Sequence, residues 1–448
     1  MELSILAKTV FDDIIQNGGY VYIVGGSVRD DILDIHDEQD IDVEVYHMTC
    51  QQLYDVLSHH GQVNTFGVSF AIMQLKELPG YDFALPRKEL KNGNRHQDFE
   101  IMIEPDLPIE KAIQRRDLTM NALMYDYHQK KIIDMCGGIS DIQNRLIRCV
   151  NPDTFKEDPL RVLRIAQFAA RFQMSIDSQT FQLCQEMVKE GMLKHLSIER
   201  VYHEYCKILM SPKPSIGFEF LRDIKALPIY LEALTTTGQR LDYHPEGDVF
   251  THTMLVLDIA ALSKDKIDEP LSFMWSCLLH DIGKPLVTTS DGHAPGHNEA
   301  GVDVFKQVDL ITSKKQRQYI STMIMYHMHL MNMARNHGRD ISYLRLLKKI
   351  EGKVSMNDLV YMSCCDKLGR GKVAQSQYDA FLEFIKDKRE RLSDHAPVAL
   401  VSGFDLLEIG LTNEKKFKVI LNEAYDLQLQ GLDKERILRS LKKKYDKR

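Results

Sequence analysis

Gly25-Gly26-Ser27-Val28-Arg29-Asp30, followed at a short distance by Asp40 and Asp42, decides how this chain is read. The lead-in, Tyr20-Val21-Tyr22-Ile23-Val24, is a short apolar run of β-formers and reads as a buried strand. Glycines after a strand let backbone N–H groups approach a phosphate, and a following helix start adds positive dipole. Gly25 and Gly26 are therefore expected to form that turn, with Arg29 in the first helical turn neutralising a phosphate oxygen. Ile41-Asp42-Val43-Glu44-Val45 alternates like a strand, which places Asp40 and Asp42 on one face, where hard oxygen ligands suit Mg²⁺. A surface turn before a polar strand face is the plain alternative, and the ordered combination of motifs argues against it.

Four further stretches extend the pattern. They are Arg115-Arg116-Asp117-Leu118-Thr119-Met120-Asn121-Ala122-Leu123, then Ile133-Asp134-Met135-Cys136-Gly137-Gly138-Ile139-Ser140-Asp141, then Glu157-Asp158-Pro159-Leu160-Arg161-Val162-Leu163-Arg164, and finally Glu199-Arg200 through Glu204. With the opening stretch, these resemble in order the five motifs of the bacterial class II tRNA nucleotidyltransferases (CCA-adding enzymes), within the DNA polymerase β superfamily. The resemblance implies an α+β chain: a polymerase-β-type nucleotidyltransferase head with a mixed sheet, followed by an all-helical neck, an HD domain and a tail.

Composition is compatible with this. A chain of 448 residues, 44% hydrophobic and 27% charged, is long enough for several domains with sizeable cores. No apolar run is long enough to span a membrane, and the first residues lack the basic start and apolar core of a signal peptide. Eight cysteines scattered without a Cys-x-x-Cys pair fit a reducing compartment, so a cytoplasmic location is expected. The formal charge of −7 argues against an indiscriminately basic nucleic-acid binder but not against a local RNA footprint. Oligomeric state is not legible.

Apolar patterning predicts strands near 21–24, 41–46, 71–75, 99–103 and 131–134, mixed with helices, and then helical spacing from 159–172 onward. The expected divisions are a head over 1–145, a neck over 146–240, an HD domain over 241–375 and a tail over 376–448. Gly403, Gly410 and Gly431 read as helix stops in the tail.

In the head, Asp40 and Asp42 are the expected catalytic metal ligands, because two divalent ions can activate an attacking hydroxyl and stabilise a leaving pyrophosphate. Asp82 is a weaker third ligand, a metal-free aspartate on a β-edge being the alternative. Arg115 and Arg116 are expected at phosphates or sugar, while Thr119 and Asn121 brace the turn and Asp134 and Asp141 are structural. Asp158 and Arg161, three apart, share a helix face that Arg164 continues. The resemblance makes these a protein template for the Watson–Crick edges of C and A. It also makes Arg87, Glu89 and 93–96 a mobile loop needed for the last adenosine.

Between 244 and 370, His252, the pair His280-Asp281 and Asp366 are spaced like the ligands of the HD superfamily of metal-dependent phosphohydrolases. His297 and His327 are weaker candidates, for a second ion or for lining, and Lys284 for a phosphate. The metal's identity is open. The fusion resembles enzymes that add CCA to tRNA from CTP and ATP and also hydrolyse 3′-phosphates or 2′,3′-cyclic phosphates.

Some features depart from the family pattern. Asp34 stands where glycine is usual, Glu44 follows the Asp-x-Asp closely, and Thr65-Phe66-Gly67-Val68-Ser69-Phe70 is atypical. A poly(A) polymerase, a partial CC- or A-adding enzyme, and a non-catalytic RNA-binding protein are the rival readings.

Overall fold

The computed structural model describes residues 1–35, 40–66, 72–91, 99–240, 242, 244–370 and 375–445. Two compact units divide it, Met1–Leu227 and Pro228–Arg448. The expected neck, 146–240, runs past this division.

Among the described residues, nine strands build the head: β1 Tyr20–Val24, β2 Ile41–Tyr46, β3 Val63–Phe66, β4 Ile72–Leu75, β5 Tyr81–Ala84, β6 Arg87–Lys91, β7 Phe99–Ile103, β8 Met124–Asp126 and β9 Lys131–Ile133. Seven form one sheet in the order β3-β4-β5-β2-β1-β8-β9, and β6 pairs with β7 in a separate ribbon. The sheet is mixed, as expected, because β2 runs antiparallel to β1 but parallel to β5. Side chains alternate across it. Ile23, Val43, Val45 and Phe83 are fully buried, and Phe11 of α1 (Ile5–Gln16) packs edge-on to Phe83 at 6.1 Å. On the other parity Val24 pairs with Asp42 and Tyr22 with Glu44, so acids stand among the apolar side chains there.

The predicted strands at 41–46 and 99–103 are reproduced. β3 and β8, only four and three residues long, are too short for the apolar patterning to mark. Asp82 is not on a β-edge, since β5 lies between β4 and β2.

The rest of the first unit is helical apart from the short parallel pair Leu146–Ile147 and Ser175–Ile176. Its central helix, Leu160–Phe172, buries ten of thirteen residues. It packs against helices Ile198–Leu209 and Pro214–Asp223.

The second unit is helical. Helices Val249–Ala261, Pro270–Leu279, Lys314–Tyr326 and Met356–Leu368 surround a core with Phe250, Phe273 and Trp275 fully buried. The C-terminal helices Gly403–Glu408, Glu414–Leu429 and Lys434–Tyr445 bury a separate cluster around Leu406, Ile420, Ile437 and Leu441. Gly410 and Gly431, both with positive φ, follow the ends of the first two of these helices, whereas Gly403 begins one. The stop expected at Gly403 is therefore a start, because Ser402 and Asp405 form a capping box around it. No helix among the described residues is long and apolar enough to cross a membrane.

Candidate active sites in the two units

In the head, the strand–turn–helix unit forms where the glycines predict it, with α2 spanning Gly26–Ile32. Gly25 has φ 75 and ψ −127, a conformation L side chains avoid. A Cβ there would lie 3.6 Å from both Arg116 Nη1 and Asp42 Oδ2, so the turn, an arginine and a carboxylate converge on one point.

Asp42 and Asp82 are direct cross-strand partners on parallel β2 and β5. Both therefore point to the same face, and like charges directly opposite one another repel. Gln74 Nε2 donates to Asp82 Oδ1 at 2.6 Å and holds it in place. Desolvation raises the Asp42 pKa, and its neighbours Asp82, Glu44 and Asp40 add to the rise while Arg116 opposes it. Such a crowd of hard oxygens suits a divalent cation. Asp40 is exposed just ahead of β2. Among the described residues, groups of three mutually close donors occur in the histidine block and not at these carboxylates.

A cleft of about 340 Å³ opens over this face, lined by Asp42, Asp82, Arg87, Arg115, Arg116 and Arg161 among others. Arg116 Nη2 donates to Glu44 Oε1 at 2.6 Å, so Glu44 anchors an arginine. Arg161 donates to the carbonyls of Thr154 and Arg115, at 2.7 and 2.8 Å, which stiffens it at the cleft wall. Arg164 donates to Asp117 Oδ2 at 2.7 Å, and Asp158 Oδ2 accepts from Arg200 Nη2 at 2.9 Å. Burial pushes Asp117 upward, but Arg164, Asn121 and Arg161 outweigh it and hold the carboxyl below its usual range. Arg200 lies in the fifth motif, and its ion pair to the fourth required the fold to become visible.

Arg29 is not at the cleft. It is 4% exposed, donates to Asp30 and to Asn121 Oδ1 at 2.6 Å, and stacks on Phe172 at 4.7 Å. A buried guanidinium needs this many partners, so it braces the turn in place of meeting phosphate. Thr119 bonds Asp141, and Asp134 caps the helix Gly138–Gln143, as expected of structural residues. Arg87 and Glu89 lie on strand β6 and not in a loop, and Arg87 O accepts from Arg115 Nη1 at 3.0 Å. The loop residues 93–96, the 67–70 part of the atypical stretch and the side chain of Glu89 lie outside the described residues.

In the second unit, His252, His280, Asp281, His327 and Asp366 converge, each nearly or fully buried, with His297 beside them. His280 Nδ1–H donates to Cys277 O at 2.8 Å, which leaves the Nε2 lone pair facing Asp281 Oδ2 at 3.1 Å. His297 and His327 likewise donate from Nδ1 to carbonyls and turn Nε2 towards Asp281 Oδ1, at 3.7 and 3.8 Å. His252 Nε2 lies 3.0 Å from Asp366 Oδ1. Among the described residues, His252 Nδ1, His280 Nε2, His297 Nε2 and Asp281 Oδ2 are buried atoms with no hydrogen-bond partner. Lone pairs aimed at buried carboxylate oxygens fit a cation held between them. Burial lowers the His327 pKa to about 3, helped by His280, so that imidazole is neutral as a ligand must be.

Gly283 makes this packing possible. A Cβ on it would sit 2.1 Å from His297 O and 2.3 Å from Gly301 N, so helix His297–Lys306 reaches the centre only past a glycine. A cavity of about 410 Å³ leads to the centre, with Lys284, Arg240, Arg335 and Arg370 in its walls. Lys284 Nζ forms an ion pair with Asp281 Oδ2 at 2.6 Å, outside hydrogen-bond geometry, and donates to Gln239 Oε1 at 2.7 Å. His244 and Glu246 also reach the centre, and their one sequence signal is the place of His244-Pro245-Glu246 just ahead of the helix that carries His252.

A mixed sheet with paired carboxylates under an arginine-lined cleft, joined to a helical unit with a buried histidine–aspartate centre, defines a nucleotidyltransferase fused to an HD-type hydrolase. Three family profiles match in that order: "Poly A polymerase head domain" over 21–148, "Probable RNA and SrmB-binding site of polymerase A" over 173–236, and "HD domain" over 249–363. The Multifunctional CCA protein of Actinobacillus pleuropneumoniae is 37% identical over 324 residues, covering 70% of this chain and 76% of its own. That of Acidovorax ebreus is 34% identical, covering 80% and 84%. The chain belongs to the family of multifunctional CCA proteins. Among solved structures, an apo CCA-adding enzyme superposes with a TM-score of 0.64 at 19% identity, covering 98% of this chain and 96% of its own. The Thermotoga maritima CCA-adding enzyme, in complex with tRNA, gives 0.58 at 18% identity, with 97% and 94% covered.

Proposed function

We propose that this protein adds CCA to the 3′ ends of tRNA from CTP and ATP, and that its second unit clears phosphate-blocked ends first. The observation that carries the first part is the single cleft in which Asp42 and Asp82 face Arg115, Arg116 and Arg161. Asp40, Asp42 and Asp82 would hold Mg²⁺, which supplies activation of the attacking hydroxyl and charge neutralisation at the leaving pyrophosphate. Gly25 and Gly26 allow close backbone approach to the triphosphate, and Arg115 and Arg116 neutralise its charge. Asp158, Arg161 and Arg164 select the base, offering acceptor and donors to the edges of C and A. Buried polar groups left unmatched penalise U and G. Arg200 and Asp117 fix Asp158 and Arg164 in that role. The segments 1–145, 146–240, 241–375 and 376–448 serve as head, base-selecting neck, hydrolase and tRNA-binding tail.

In the second unit, His252, His280, Asp281 and Asp366 would hold one divalent ion, supplying an activated water. His297, His327 and Asp281 Oδ1 are disposed for a second. The cationic wall of Lys284, Arg335 and Arg370 draws the substrate phosphate to this centre. A 3′-phosphate or 2′,3′-cyclic phosphate would block the hydroxyl the head requires, so the two activities form a sequence.

The test is to incubate the protein with tRNA lacking its 3′ end, Mg²⁺, and CTP with or without ATP, resolving products to single nucleotides. Extension ending at CCA is expected. Arrest at CC with ATP present would mark a partial enzyme, and long A-tails from ATP alone would mark a poly(A) polymerase.

A further inference from the structure

Three of the four histidines around Asp281 are oriented in the same way. His280, His297 and His327 each donate Nδ1–H to a carbonyl three residues earlier, Cys277 O, Ala294 O and Ile324 O, at 2.8, 2.8 and 2.9 Å. His252 does not do so. The carbonyl three residues before it, Val249 O, accepts from Thr253 Oγ1 at 2.8 Å. Its Nδ1 lies 2.9 Å from Glu246 Oε1, within ion-pair reach but in no well-aligned hydrogen bond among the described residues, while Nε2 faces Asp366. The same Glu246 oxygen lies 2.8 Å from His244 Nδ1. The Glu246 side chain is only 4% exposed, and its Oε2 is buried without a hydrogen-bond partner among the described residues. A buried carboxylate stands behind His252, where the three counterpart imidazoles use a peptide carbonyl, and its burial is costly unless the imidazoles beside it use it.

We infer that Glu246 is a positioning residue of the second-unit metal centre: it accepts the Nδ1–H of His252 and so fixes that ring with Nε2 directed onto the ion. This rests on the reading that His252, His280, Asp281 and Asp366 hold a divalent cation. A carboxylate acceptor sets the tautomer, restricts ring rotation and increases the basicity of the ligating nitrogen more than a carbonyl does. His252 is thereby the most firmly polarised ligand of the set. His244 shares the carboxylate and steadies it from the cavity side.

The experiment uses the full-length chain carrying Asp42→Ala, so that the head does not compete for metal, with Mn²⁺ as the probe. Affinity and stoichiometry are measured by calorimetric titration for this background and for added Glu246→Ala, Glu246→Gln, His244→Ala and His280→Ala. Glu246→Ala is expected to weaken Mn²⁺ binding about 10–100-fold with unchanged stoichiometry. Glu246→Gln, which keeps an oxygen acceptor, should recover part of the loss and decides the matter should the alanine variant misfold. His244→Ala should stay within about threefold of the background, since His252 keeps its acceptor. Glu246 variants within about twofold of the background would overturn the inference. So would equal losses in His244→Ala and Glu246→Ala, which would make Glu246 a brace for its loop. Loss of one whole equivalent in Glu246→Gln would overturn it as well, showing an ion seated on Glu246 itself. If the background bound no Mn²⁺, or His280→Ala bound it equally well, the reading of the centre would fail and the inference with it.

Discussion

Asp117 shows how one side chain joins fold and function. It sits in the Arg-Arg-Asp motif, accepts from Arg164 Nε and Asn121 Nδ2, and is 8% exposed. Removing its charge in Asp117→Asn should cost about 1.5–3 kcal/mol near neutral pH, the range for hydrogen bonds to charged groups. Its carboxyl is held below the ordinary value in the folded state. Its contribution is therefore fully present above the unfolded pKa, about 3.9, and is lost as pH falls through the lower folded one. The Tm difference between wild type and Asp117→Asn should be constant above about pH 5 and shrink below about pH 4. A gap that widens in acid would contradict this assignment. Base selection should loosen in parallel, because Arg164 loses its anchor.

At the scale of elements, close approach is decided by glycine. Gly283 lets helix His297–Lys306 lie against the turn after His280-Asp281. In Gly283→Ala that helix must shift, at a cost of about 1–3 kcal/mol for overpacking. Phosphodiesterase activity should fall sharply, while nucleotide addition by the head stays near wild type. Equal retention of both activities would show that the helix is not needed at the centre. In the head the corresponding constraint is register. A slip of one residue between β2 and β5 would send Asp42 and Asp82 to opposite faces, so the alternation of buried Val43 and Phe83 fixes the site as well as the core.

At the scale of the whole molecule, the two candidate centres lie in different compact units, the head carboxylates in Met1–Leu227 and the histidine centre in Pro228–Arg448. Their chemistries should therefore separate by mutation. Asp42→Ala should reduce nucleotide addition by more than about 10³-fold, several kcal/mol of transition-state stabilisation, and leave hydrolysis of 2′,3′-cyclic nucleotides intact. His280→Ala should do the reverse. Assaying both activities in both variants checks this, and a chelator should abolish both in wild type. A single variant that silenced both on folded protein would refute the division of labour.

The sequence by itself determined the class of fold, the order of the motifs and most of the residues that gather at the two candidate centres. Those signals are local: a glycine turn after a strand, acids alternating with apolar residues, and His-Asp pairs on apolar helices. Tertiary structure alone decided which polar groups face a site and which serve the core. Arg29 carries every sequence mark of a phosphate ligand, yet Phe172 of the neck helix and Asn121 of the second motif claim its guanidinium. Glu246 is marked only by its place just ahead of the helix of His252, and its role shows only when His252 meets Asp366 from 114 residues on. The physical reason is that a charged side chain's role is fixed by its desolvation and its partners, and those partners come from distant parts of the chain.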